Sequence, residues 1–269
     1  MTLLLSPLSL PQAVGVALGF VVILMFVVWL IALGIRNAGI VDIAWSLGFL
    51  PVALIAALFG AGADSRKLLI ATMACLWSLR LGVYLWFRVM SHHPEEDGRY
   101  KTLREQFPNH TNLMFLGFFE LQGVLLIILS LPFFIICRNP IPTLHLTEWL
   151  GLALWIIAIC GESIADFQLQ RFRENKENKG RTCQIGLWHY SRHPNYFFEW
   201  LIWVAYFLFA LASPWGLVTI YCPLLMLFFL LRVTGIPATE AHAVKSRGEE
   251  YLAYQRRTSA FIPWFPKKA

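Results

Sequence analysis

Apolar positions along the chain fall into long blocks, not into the two-residue alternation of strands. Seven such blocks, near 12–35, 41–62, 68–88, 113–137, 146–169, 196–212 and 214–233, carry few charges. A helix needs about 20 apolar residues to cross the hydrocarbon core. Backbone in lipid must satisfy its own hydrogen bonds, so such blocks span as helices. The pattern predicts an all-α, polytopic integral membrane protein with about seven transmembrane helices. Only Ala212-Ser213-Pro214 separates the last two blocks, which predicts a tight helical hairpin. No Lys or Arg precedes the first block and no small-residue cleavage site follows it, so it reads as a retained helix and not a signal peptide. Without internal repeats or low-complexity segments, residues 1–269 read as one membrane domain.

Composition agrees. The chain is 58% apolar and 14% charged, against roughly 45–50% and about 25% for soluble domains, which excludes disordered, collagen-like and ordinary cytosolic classes. Net charge is +6, and the position of the positive charges matters more than their sum. With the N-terminus outside, the segments 36–40, 88–112, 170–195 and 232–269 become cytoplasmic and hold 18 of the 22 Lys and Arg. Positive-inside asymmetry therefore predicts an outside N-terminus and a cytoplasmic C-terminus. The basic loops set topology and meet anionic lipid; they do not imply nucleic acid. Cys75, Cys137, Cys160, Cys183 and Cys222 show no metal-ligand spacing, so neither a disulfide framework nor a metal site is expected.

Ionisable side chains within spans are costly and usually face a protein interior. Helical spacing sorts those found here. Glu162 and Asp166 share one face of the fifth span, with Arg173 two turns on. Asn195 and Glu199 share a face at the start of the sixth. Trp77, Arg80, Tyr84 and Arg88 form a polar-aromatic stripe on the third, and Asp42 and Trp45 lie three apart near the start of the second. Singly, each reads as a buried ion pair or a snorkelling end residue, and Asp42 as a partner of Arg80 or a helix cap. Together they suggest one cytoplasm-facing polar cavity. Arginine forks suit phosphates, and carboxylates accept ribose hydroxyls, so a dinucleotide fits these residue types. No GxGxxG follows a strand; a dinucleotide would bind among membrane helices.

The segment 186–200 reads GLWHYSRHPNYFFEW and resembles the signature of the steroid 5-alpha-reductase family, especially its bacterial membrane-reductase relatives. Sterol reductases carry a similar RHPNY stretch. The likeness extends through Asp166-Phe167-Gln168, Arg173, Lys179-Gly180-Arg181, Gly235-Ile236-Pro237, Tyr251, Tyr254 and Phe261-Ile262-Pro263-Trp264, with weaker matches at 37–45 and 77–88. Apart from the likeness, Pro194 suits a first helical turn, and Asn195, Tyr196 and Glu199 would sit near unpaired backbone donors.

The resemblance implies NADPH as cofactor, held by Asp166, Arg173, Arg181, Asn195, Glu199 and Arg232, with Arg88, Glu162, His193, Tyr196 and Glu240 as further candidates. It implies substrate-side helices over about 12–137 and a cofactor-binding half over about 146–269. The reaction it implies is hydride transfer to the β-carbon of a lipid enone such as a 3-oxo-Δ4-steroid, entering from the bilayer of a bacterial inner membrane. Protonated Asp42 would hydrogen-bond the carbonyl and stabilise the enolate. Trp77 stands where the family has a tyrosine, and Tyr84, two turns on, is the substitute. Membrane methyltransferases that use S-adenosylmethionine share an HPxY stretch and a basic, Tyr-containing tail; Asn195 with Glu199, and the set on the fifth span, favour the reductase. A transporter would show paired broken helices in two related halves, which the sequence lacks.

Overall fold

The computed structural model describes residues 6–91 and 93–267. The extreme ends of the expected single domain, and His92 in the expected cytoplasmic loop 88–112, lie outside the described residues. Among the described residues there is no strand, only an isolated bridge between Ser191 and Ser259. The helices form two compact units: one runs to Leu144 and includes Ser213–Gly216, and the other comprises His145–Ala212 with the chain from Leu217 onward.

The first unit holds α1 (Leu10–Ile35), α2 (Ile40–Phe59), α3 (Asp64–Met90), α4 (Gly98–Gln106) and α5 (Thr111–Ile136). Ser9 and Gln12 close a reciprocal capping box at the start of α1, satisfying donors that a helix otherwise leaves orphaned. The inner face of α1 is Ala13, Ala17, Val21, Met25, Val28 and Ala32, whose three alanines allow close approach in lipid, where hydrophobic driving force between helices is absent. On α3, a methyl group at Gly82 would run into Leu47 of α2. Ser78 beside it donates to the Ser46 carbonyl at 2.6 Å. At the far end of this unit buried Arg66 donates to the carbonyls of Asn139, Ile141 and Thr143. A buried cation thus ties the 139–143 loop together.

The second unit contains α6 (Leu146–Glu174), α7 (Leu187–Tyr190), α8 (Pro194–Ala210), α9 (Tyr221–Phe228), α10 (Ile236–Arg247) and α11 (Glu249–Arg257). His145 and Glu148 cap α6 reciprocally. Helices α6 and α8 touch closely because Gly151 lies where a Cβ would come within 2.9 Å of the Ala205 carbonyl, and Gly161 lies against the Phe198 ring. The same α6 face carries Glu162 and Asp166, both buried. Pro194 occupies the first turn of α8, as the spacing predicts.

Among the described residues, six helical stretches are long and apolar enough to cross a membrane: Leu10–Ile35, Ile40–Phe59, Asp64–Met90, Thr111–Ile136, Leu146–Glu174 and Gly216–Arg247. The protein is accordingly an integral membrane protein by the length and apolarity of its helices. The expected sixth span is α8, with 17 residues, roughly 26 Å at 1.5 Å per residue against a core of about 30 Å. The expected seventh is a composite: a 3₁₀ turn over Gly216–Ile220, α9, a π turn over Phe229–Val233, then α10. The segment 88–112, read as a loop, contains α4, capped by the Asp97 side chain on the Arg99 backbone N–H.

Candidate functional site

Two polar clusters carry the expected site residues, one in each unit. In the first, Asp42 sits in the opening turn of α2. Its Oδ1 accepts from the Tyr100 phenol at 2.7 Å. Its Oδ2 accepts from Arg99 Nη2 at 2.9 Å and from Arg88 Nη2 at 3.3 Å. Arg99 also clasps Asp97, donating Nε to Oδ1 at 3.1 Å. Burial pushes the Asp97 carboxyl upward, but the hydrogen bonds and charge of Arg99 outweigh it and hold that group below the usual carboxylate range. Burial first, and then the Asp42 charge, raise Tyr100 well above an ordinary phenol, so Tyr100 is the donor in its bond to Asp42.

Asp42 is thus held by three donors, the Arg88 and Arg99 guanidiniums and the Tyr100 phenol, at the position where the sequence reading expects a protonated acid that hydrogen-bonds a carbonyl. The Arg80 guanidinium lies over the Tyr84 ring at 5.8 Å, so Tyr84 keeps its place on the α3 stripe above Arg88. Tyr100 and Arg99 are functional candidates that sequence reasoning missed. Their signal was the strongly polar GRYKTLREQ segment, which periodicity alone leaves unassigned.

A second clasp adjoins the first. Glu96 accepts the Ala38 backbone N–H at 2.6 Å and the Arg104 Nε at 2.7 Å, and the Arg104 guanidinium lies 4.7 Å from the Phe115 ring centre. The loop between α3 and α4 is thereby anchored to the start of α2.

In the second unit, Asn195 Nδ2 donates to Asp166 Oδ1 at 3.1 Å. The Asn195 Oδ1 is buried and has no hydrogen-bond partner among the described residues, an unusual state for a buried acceptor. Glu199 Oε1, one turn on, accepts from Trp203 Nε1 at 3.0 Å. The side chains of Arg173, Arg181 and Arg232 are exposed and make no hydrogen bond or ion pair among the described residues. Arg232 lies in the π turn, a local widening often found at functional positions.

His193 and Glu240 meet in a network of their own. Glu240 Oε1 accepts from Arg192 Nε at 2.6 Å, and lies 3.2 Å from His193 Nε2; its Oε2 accepts from Gln255 at 2.7 Å. Arg192 spends a further nitrogen on the carbonyls of Gln255 and Thr258, at 2.9 and 2.5 Å. Burial lowers the His193 pKa below its ordinary value, only partly opposed by the Glu240 bond and charge, so a neutral imidazole donates to the carboxylate. This closed network joins the entry of α8 to α10 and α11 and engages His193 and Glu240, both expected at the cofactor, with each other. Arg192, unassigned from sequence although it opens the RHPNY stretch, is its centre. Tyr196 stacks on His193 with ring centres 5.3 Å apart and shares a hydrogen bond with Thr239 at 3.2 Å.

Residues 28–258 match a family described as "protein of unknown function (DUF1295)". The chain belongs to that family. The DUF1295 family falls within the steroid 5-alpha-reductase-like superfamily, and the match spans both polar clusters. An uncharacterised protein of fission yeast, Schizosaccharomyces pombe (C594.04c), is 26% identical over 94% of this chain and 80% of its own length. No solved structure matches.

Proposed function

We propose that the protein is an NADPH-dependent reductase of an activated C=C bond in a lipid enone, with a 3-oxo-Δ4-steroid as the substrate type. The observation that carries this reading is the unpaired, buried Asn195 Oδ1 beside Asp166, in a unit that also presents three unengaged arginines. A carboxamide needs an acceptor such as this oxygen, ribose hydroxyls need a carboxylate, and phosphates need guanidiniums. The donor set suits a dinucleotide phosphate. Asn195, with Asp166 orienting it, would hold the carboxamide end, and Arg173, Arg181 and Arg232 the phosphates. When bound, NADPH supplies a hydride to an electron-poor carbon.

The first unit, taken by itself, presents donors suited to drawing electrons toward a carbonyl oxygen. Asp42 acts here as a positioning residue that holds Arg88 and Arg99, and the guanidinium donors stabilise the negative charge that develops on the oxygen. Tyr84, on the same α3 stripe, is the further donor. The cofactor enters from the cytoplasm in the seven-span topology with an outside N-terminus, and the apolar substrate enters from the bilayer of a bacterial inner membrane.

The test is a thermal titration of purified protein with NADPH, NADH and S-adenosylmethionine. A ligand at a hundred times its Kd adds about 2.7 kcal/mol of stability, a rise of several degrees in Tm. NADPH should produce it. A rise with S-adenosylmethionine and none with either dinucleotide would replace this reading with methyl transfer.

A further inference from the structure

The end of the chain displays large apolar side chains outward although its backbone is firmly held. Ile262, Trp264 and Phe265 are 58%, 71% and 76% exposed. The segment is nevertheless pinned: Ser191 Oγ donates to the Phe261 carbonyl at 2.8 Å, Trp264 N to the Tyr190 carbonyl at 2.9 Å, and Lys267 N to the Arg257 carbonyl at 2.9 Å. Tyr190 and Phe265 meet edge to face at 5.8 Å. A held segment that shows Trp and Phe to its surroundings implies a surface that receives them.

The depth of this patch says which surface. Trp188 Nε1 donates to the Ala165 carbonyl, and Leu187 N to Gln168 Oε1, each at 2.9 Å. Both bonds fasten α7 to α6 at residues 165–168. Helix α6 has 29 residues, about 43 Å at 1.5 Å each, so it overruns the hydrocarbon core of about 30 Å. About 20 residues from its start, the core ends close to Ala165. Exposed Phe167 and Ile185 line one shallow hollow there with Arg171, and the Arg171 guanidinium lies 6.0 Å from the Phe167 ring centre. Apolar and aromatic groups flanked by cations at that level suit the boundary between acyl chains and anionic headgroups, where Trp and Tyr collect and Arg and Lys reach toward phosphate.

We propose that Ile262–Phe265, with Tyr190 and Ile185, forms a non-helical anchor seated in the interfacial layer of an anionic bilayer, with Arg171, Arg257 and Lys267 toward the headgroups. The anchor is independent of the reductase reading. It has a consequence for the second unit, because the strand-like contact of Ser191 with Ser259 and the Arg192 N–H bond to the Ser259 carbonyl at 2.8 Å tie the anchored tail to the segment that leads into Asn195.

The test uses the full chain in vesicles of phosphatidylethanolamine and phosphatidylglycerol, with the photoreactive substitutions Trp264→p-benzoylphenylalanine, Phe265→p-benzoylphenylalanine and, as an exposed control, Lys179→p-benzoylphenylalanine. After irradiation, mass spectrometry should find phospholipid adducts at 264 and 265, at least tenfold over the control. Adducts to a second copy of the chain, no lipid adduct at either tail position, or equal lipid labelling at 179 would each overturn the proposal.

Discussion

Asn195 donates its amide to Asp166 across 3.1 Å, while its own oxygen stays buried and unpaired. The bond fixes the direction of the Asn195 side chain, so the acceptor is aimed before any ligand arrives. Such preorganisation lowers the ordering cost of binding. Asn195→Ala removes the acceptor, and Asp166→Ala removes the residue that aims it. Each should weaken NADPH binding by about one to two decades, from roughly 1.5–3 kcal/mol for a bond to a charged group. Calorimetric titration measures this, and unchanged affinity in both variants would take these residues out of the site.

Asp42→Asn keeps the size of the side chain but weakens its hold on Arg88 and Arg99. Turnover of a 3-oxo-Δ4-steroid should fall by roughly tenfold or more, as one charge-assisted bond is degraded, with KM and NADPH affinity little changed. Tyr100→Phe removes a single buried hydrogen bond, about 1 kcal/mol, and should lower Tm by a few degrees with a smaller effect on rate. Single-turnover kinetics beside thermal melts separate the two. Wild-type turnover in Asp42→Asn would end its positioning role.

Glu240→Gln strands Arg192, whose side chain is 11% exposed. Removing one partner of a buried pair costs about 3–5 kcal/mol, and the carbonyl bonds that Arg192 keeps should hold the loss to the lower end. A large drop in Tm is expected. Arg192→Leu in the Glu240→Gln background should recover part of it, because the stranded charge is gone. Failure of that rescue would show that the network matters through geometry and not charge.

The same network carries a pH dependence. His193 is buried with its pKa held below the ordinary value, so between that depressed value and about 6.5 the unfolded chain binds more protons than the folded one. Stability then falls as pH drops through this window and is fully present above it. Melting scans from about pH 7.5 downward should show the fall beginning near the free-histidine range, and a shallower slope in His193→Asn. Identical slopes would assign the effect to other groups.

Topology has its own check. Single cysteines in the 176–180 loop, introduced into a cysteine-free background, should react with a membrane-impermeant maleimide only from the cytoplasmic side. Labelling from outside would invert the orientation drawn from the positive charges.

What the sequence by itself determined is the material of the fold: long apolar helices, the start of α8 at Pro194, and the shared face of Glu162 and Asp166. These follow from rules that act within one helix, namely the length needed in hydrocarbon and the spacing of a helical turn. Only the tertiary structure decided which polar groups meet. Asp42 and Tyr100 are 58 positions apart, and Arg192 and Glu240 are 48 apart; no local period links them. Arg66 is a buried clasp because three carbonyls more than 70 positions away converge on it. A guanidinium or carboxylate buried away from water must find its partner wherever the chain brings one, and that choice lies in the packing of helices and loops, beyond the reach of periodicity.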